Sequence, residues 1–129
     1  MQATGPFEVK LSPQAPTPAI ASTNIGRQTL DKQFHGDLEA ISLGEMMAFM
    51  SGTPGSGAYV ALERVDGTLH GRRGSFVLQH TGVMNRGVPS LSVMVVPDSG
   101  TGELAGLSGA MMIHIENRRH SYTFEYALA

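Results

Sequence analysis

A polar side chain set in an apolar strand costs on the order of 1–3 kcal/mol unless a partner satisfies it, so such residues mark where chemistry can sit. In this chain they are Glu63, Arg64, Gln79, His80, His114 and Glu125, and Tyr59, Tyr122 and Tyr126 can add hydroxyls from the same walls. Along Ala58 to His70, Tyr59, Ala61, Glu63 and Val65 share one face of an extended segment, with Val60, Leu62 and Arg64 on the other. In GSFVLQHTG (Gly74 to Gly82), Phe76, Leu78 and His80 alternate with Val77, Gln79 and Thr81. The turn HGRRG (His70 to Gly74) pairs these two strands, which brings Glu63 or Arg64 across the ladder from Gln79 or His80. A carboxylate beside an imidazole can strengthen the ring as a base or act as a base itself on a bound molecule. The same pair also serves as a plain structural ion pair. The candidate ligand-binding set is Tyr59, Glu63, Gln79, His80, Glu125 and Tyr126.

Other chemistries fit less well. Ser75 and His80 lie on opposite faces of one strand and cannot form a nucleophile and base pair. His114-x-Glu116, with His80 and His120 on neighbouring strands, superficially resembles the ligand shell of cupin barrels. The paired H-x-H of those proteins and the HExxH motif are both missing, so no metal and no cofactor is expected. With no cysteine, thiolate chemistry, disulfides and Cys-type zinc sites are excluded. The glycine amides of GTGELAG (Gly100 to Gly106) lack the lysine and the GxxxxGK[ST] pattern of a phosphate loop, so they read as a corner.

The elements that would position these residues are strands. Phe7, Val9 and Leu11 alternate with charges up to Pro13, and Ser12 to Ala19, rich in proline, reads as an extended surface connection. A strand from Ile25 to His35 reverses at Gly36-Asp37 into one that includes LGEMMAFM (Leu43 to Met50). That segment favours helix by propensity, but Gly44 and the following loop favour a strand. Ala58 to His70 reads as one long strand bent by a bulge at Asp66-Gly67. Further strands follow to Met84, over Ser90 to Val96, and as a hairpin of Ala110 to Glu116 with Ser121 to Leu128. At the corner between Pro97 and Gly109 one helical turn, Glu103 to Ala105, is predicted, with Leu104 and Leu107 plugging one end of a core. Eight strands joined by short reversals imply an all-β chain. The expected fold is a single antiparallel eight-stranded β-barrel, one domain over residues 1–129, with an open sandwich as the alternative.

The runs LERVDGTLHGRRGSFVLQHTG (Leu62 to Gly82) and VVPDSGTGELAGLSG (Val95 to Gly109) resemble a bacterial family known as domain of unknown function 3224. The likeness extends from GPFEV (Gly5 to Val9) through FHGDLEA (Phe34 to Ala40) to YTFEYAL (Tyr122 to Leu128). The GTG-x-hydrophobic-x-G corner is also similar to that of plant allene oxide cyclases and dirigent proteins. It implies an allene oxide cyclase-like, lipocalin-like closed barrel, but carries over no catalytic residue.

Composition narrows the partners. A formal net charge of -2, with Arg72-Arg73 and Arg118-Arg119 as isolated pairs, argues against nucleic acid and anionic membranes. The amino terminus has no basic start followed by an apolar run, and no stretch of about 18 apolar residues occurs, so a soluble cytoplasmic protein is expected. Only 16% charged residues, together with apolar groups on both faces of Leu91 to Val96 and Ala110 to Ile115, predict a homo-oligomer, a dimer or larger. The methionines at 46, 47, 50, 84, 94, 111 and 112 suit an adaptable apolar pocket or ordinary core and interface packing. The function expected is the binding of a small apolar or amphipathic molecule in the barrel. A cyclase or isomerase using Glu63 and His80, and a structural or interaction protein filled by Phe49, Phe76, Leu78, Tyr122 and Phe124, are the alternatives.

Overall fold

The computed structural model describes residues 1–129. Eight antiparallel strands close into a barrel in sequence order: β1 (Gln2–Gln14), β2 (Gly26–Phe34), β3 (Leu38–Met50), β4 (Gly57–Leu69), β5 (Arg72–Asn85), β6 (Val88–Val95), β7 (Ser108–Glu116) and β8 (Arg119–Ala127). Every strand pairs with its sequence neighbours, and β1 pairs with β8, which closes the barrel. The seam between β6 and β7 is the thinnest, joined by the single pair Met94 and Ala110.

The predicted reversals are present. His70-Gly71, Arg86-Gly87 and Asn117-Arg118 all take positive φ at both central positions, the geometry that matches the twist of a two-residue hairpin. LGEMMAFM is strand: Gly44, Met46 and Ala48 point inward while Leu43, Glu45, Met47 and Phe49 point outward. Tertiary burial thus overrides helix propensity.

Four local readings are corrected. Asp66-Gly67 is not a bulge, because β4 pairs without interruption with both β3 and β5, Asp66 opposite Ile41 and Ser75, Gly67 opposite Ala40 and Gly74. Glycine is needed there for close approach of the neighbouring strand instead: a Cβ on Gly67 would press into Ala40 and the Glu39 carbonyl. β1 continues through Pro13 to Gln14, since a proline at a strand end forfeits little of the ladder. The connection after it holds a short 3-10 segment, Pro18–Thr23, rather than running extended throughout; Pro18 begins it and Asn24 ends it in the left-handed conformation. The turn in the glycine corner is likewise 3-10 and sits at Gly102–Leu104, one residue earlier than expected.

The barrel is packed at one end only. Phe34, Leu38, Leu69, Phe76 and Phe124 fill the end where β1 begins, and Leu104 and Leu107 close it, 1% and 3% exposed. The corner is tied to β5 by Thr101, whose N–H donates to the Ser75 carbonyl at 2.8 Å, and by Ser99 Oγ, which accepts from the Val77 N–H at 3.0 Å. The Tyr122 hydroxyl fixes the turn between β2 and β3, accepting from the Leu38 N–H at 2.9 Å and donating to the His35 carbonyl at 2.7 Å. At the opposite end, inward positions such as Leu11, Met50, Met84 and Leu91 stay 40–61% exposed, so that end is an open mouth. Phe49, expected inside, is on the outer wall.

Candidate functional site

Period two on β4 turns Tyr59, Ala61, Glu63 and Val65 into the barrel, and on β5 it does the same for Phe76, Leu78 and His80. Glu63 is the centre of the polar cluster this creates, at 1% exposure. Its Oε1 accepts from His80 Nε2 at 2.7 Å and from Lys32 Nζ at 3.0 Å, while Oε2 accepts from Ser42 Oγ at 2.8 Å. Lys32 and His80 are themselves only 5% and 3% exposed. The Lys32 ammonium also lies over the rings of Phe7 and Phe34, 5.3 and 5.8 Å from their centroids, which offsets part of its lost hydration. No buried side-chain polar atom is left without a partner. Gly44, directly across from Glu63, lets the two strands close up there; a Cβ on it would lie 2.8 Å from that of Glu63.

Burial alone would raise the Glu63 carboxyl. The hydrogen bond from His80, the Lys32 and His80 charges and the Ser42 hydroxyl outweigh it and hold Glu63 below its usual 4.5. Burial, reinforced by the negative charge of Glu63, pushes the Tyr59 hydroxyl up from its usual 10.0. Tyr59 therefore stays a neutral donor, with its oxygen 3.5 Å from His80 Nδ1.

A lowered folded value fixes the sign of a pH effect. Between 4.5 and the lower folded value the unfolded chain takes up the Glu63 proton more readily than the folded one. The contribution is complete above that window and disappears as pH falls through it. Glu63→Gln is expected to flatten the loss of urea resistance below pH 4.5 relative to wild type; parallel curves would contradict the assignment.

Above the cluster lies a cavity of about 240 Å³ with mainly apolar walls, including Phe7, Val9, Leu30 and Ile113, and with Lys32, Tyr59, His80 and His120 as its polar groups. It meets a wider mouth of about 450 Å³ lined by Met46, Met50, Met84, Leu91 and Ile115; Met46 and Tyr59 border both spaces. The interior is thus solid at one end and hollow at the other.

Of the six candidate residues, the structure brings together Tyr59, Glu63 and His80. Gln79 faces outward on β5. Glu125 is also outside, accepting from Gln2 Nε2 at 2.6 Å. Tyr126 is inside but at the packed end, stacked on Phe124 and hydrogen-bonded to His70, whose Nε2 lies 3.6 Å from the Asp37 carboxylate. Arg64 points out and donates to Ser75 Oγ at 3.3 Å. His114, weighed as a ligand, faces outward and pairs with Thr123 Oγ1 at 3.0 Å, on the other side of the wall from His80. Sequence reasoning missed Lys32 and Ser42, and it weighed His120 only beside a metal, whereas His120 lies on the cavity wall. For Lys32 the signal was its alternation with Leu30 and Phe34, which puts a lysine on a face of large apolar groups.

The chain is thus a small closed antiparallel eight-stranded barrel with one packed end and a polar-floored hollow at the other. The family described as protein of unknown function (DUF3224) matches residues 3–126, and the chain belongs to that family. A crystal structure from Shewanella oneidensis MR-1, a protein with unknown function from the DUF3224 family, is similar at 48% identity over 100% of this chain and 98% of its own, with a TM-score of 0.92. No curated protein matches. No helix is long and apolar enough to cross a membrane.

Proposed function

We propose that the protein binds one small amphipathic molecule inside the barrel, its apolar body in the methionine-lined mouth and its polar end on the Tyr59, His80 and Lys32 floor. The observation that carries this reading is the half-filled interior: inward-facing Met50, Met84, Leu91 and Ile115 remain 40–66% exposed around a hollow that ends on buried, hydrogen-bonded polar groups. A filled structural barrel would have closed this end with the side chains that close the other. Flexible methionines suit a pocket that must adapt to its occupant. The test is titration with Nile red, whose emission rises in apolar surroundings. Wild type should bind it, and Ala48→Trp, which fills the mouth, should weaken binding at least about tenfold, the loss of a few buried contacts. Binding unaffected by Ala48→Trp but abolished by Leu62→Asp on the outer wall would refute an interior site.

The outer wall supports self-association. Ile41, Leu43, Val60 and Leu62 on β3 and β4 are 52–62% exposed. The ion pairs Arg27 to Glu45 at 3.2 Å and Arg73 to Asp66 at 2.6 Å stand toward the two ends of this patch. A second copy turned about a two-fold axis would set apolar on apolar and present charges of both signs at each rim. The expected result at micromolar concentration is a dimer by sedimentation equilibrium, dissociated by Leu43→Asp. A wild-type mass of one chain would overturn it.

A further inference from the structure

The direction of the hydrogen bonds on the cavity floor points to chemistry beyond binding. Glu63 already accepts three hydrogen bonds, from His80, Lys32 and Ser42, so its oxygens are engaged. In the neutral His80 ring, donation from Nε2 to Glu63 leaves the lone pair on Nδ1, the nitrogen nearer Tyr59. At 3.5 Å the Tyr59 hydroxyl is too far from Nδ1 for a strong hydrogen bond, so it is free to turn toward a better acceptor. The spare capacity of the floor is therefore donors, the Tyr59 hydroxyl and the remaining Lys32 N–H groups, beside one basic lone pair. The matching ligand group is a neutral acceptor such as a carbonyl oxygen.

We propose, building on the interior binding site above, that the cavity catalyses proton transfer next to the carbonyl of a small neutral ketone, with His80 Nδ1 as the base and Tyr59 as the donor to the oxygen. The α C–H bond breaks, its electron pair forms the C=C bond of an enolate, and the carbonyl oxygen takes the charge while accepting from Tyr59, with Lys32 on the same cavity wall. The proton rests on His80 Nδ1, giving an imidazolium whose Nε2–H is held by Glu63. Once the His80 proton has been replaced by one from solvent, its delivery to the same carbon exchanges the α-hydrogen, and delivery to the opposite face inverts that carbon. Return of the His80 proton to the γ-carbon of a β,γ-unsaturated ketone yields the conjugated enone. No oxidant, cofactor or second substrate enters the balance. The geometry agrees: a carbonyl oxygen and its α-carbon lie about 2.4 Å apart, so a base and a donor 3.5 Å apart can each meet one of them. His80 and Tyr59 are the catalytic residues, and Glu63 is a positioning residue that orients the ring.

Two probes test this on the intact protein: conversion of 3-cyclohexen-1-one to 2-cyclohexen-1-one, followed by ultraviolet absorbance, and deuterium uptake by cyclohexanone in D2O, followed by proton NMR. Wild type should accelerate both. Tyr59→Phe, which removes one half-buried oxygen and leaves the buried cluster whole, should lower the rate about a hundredfold. His80→Gln should lower it by at least about a hundredfold. Glu63→Gln should lower the saturating rate with little change in the concentration giving half-maximal rate, a split that a loosened pocket would not produce. Equal rates in wild type and Tyr59→Phe, or no acceleration by wild type that still binds Nile red, would overturn proton transfer and leave the binding site standing. Failure of wild type to bind Nile red at all would remove both.

Discussion

Replacing Glu63 by leucine is expected to lower the unfolding free energy by about 3–5 kcal/mol, because it strands buried cationic and polar partners rather than deleting one contact. Leucine fills a similar volume, so the loss is not chiefly a cavity. What remains is Lys32, 5% exposed and without its carboxylate, and a His80 Nε2–H and a Ser42 hydroxyl that lose their acceptor. The double variant Lys32→Met with Glu63→Leu removes the charge as well and should recover most of the loss, since an apolar substitute for a buried ion pair is often neutral or stabilising. Urea midpoints of the single and double variants decide it. A single variant within about 1 kcal/mol of wild type would mean that water reaches the cluster and the burial described here is wrong.

Phe124→Ala is expected to cost a further large amount on its own, about 3–5 kcal/mol. Phe124 is fully buried, stacked between Phe76 and Tyr126 at centroid distances of 5.8 and 5.4 Å in the packed half of the barrel. Neighbours on a closed barrel cannot collapse into the space, because their backbones are held by the ladders on both sides. Met84, also inward-facing but 40% exposed at the mouth, should tolerate alanine within about 1 kcal/mol. Similar losses at the two positions would contradict the division of the barrel into a packed end and an open one.

That division was only half legible in the sequence. Leu104 and Leu107 stand out as the only large apolar groups in a glycine-rich corner, so their role as a plug could be read from local sequence. The open mouth could not, because its methionines and leucines look the same in sequence as core residues, and only the closure of the barrel shows that nothing faces them. The polar cluster shows a similar limit. Glu63 and His80 were found because each interrupts an apolar alternation on strands that a short turn makes neighbours. Lys32 was hidden in TLDKQF, where charges on both faces mask the alternation of Leu30, Lys32 and Phe34. Gln79 and Glu125 show what parity alone can decide: each is adjacent in sequence to another candidate, His80 or Tyr126, and consecutive strand residues cannot both face one interior. The absence of a bulge at Asp66-Gly67 reflects a different limit, since glycine marks either an inserted residue or a close backbone approach and only the register distinguishes them.

The most direct test of an interior binding site is methyl NMR of the protein carrying labelled methionine, titrated with Nile red. Met46, Met50 and Met84 border the hollow, whereas Met47, Met94 and Met112 project from the outer wall. An interior site predicts shifts in the first three methyl signals, saturating together, with the outer three unmoved. Shifts confined to Met47, Met94 and Met112 would place the molecule on the outside and contradict the account.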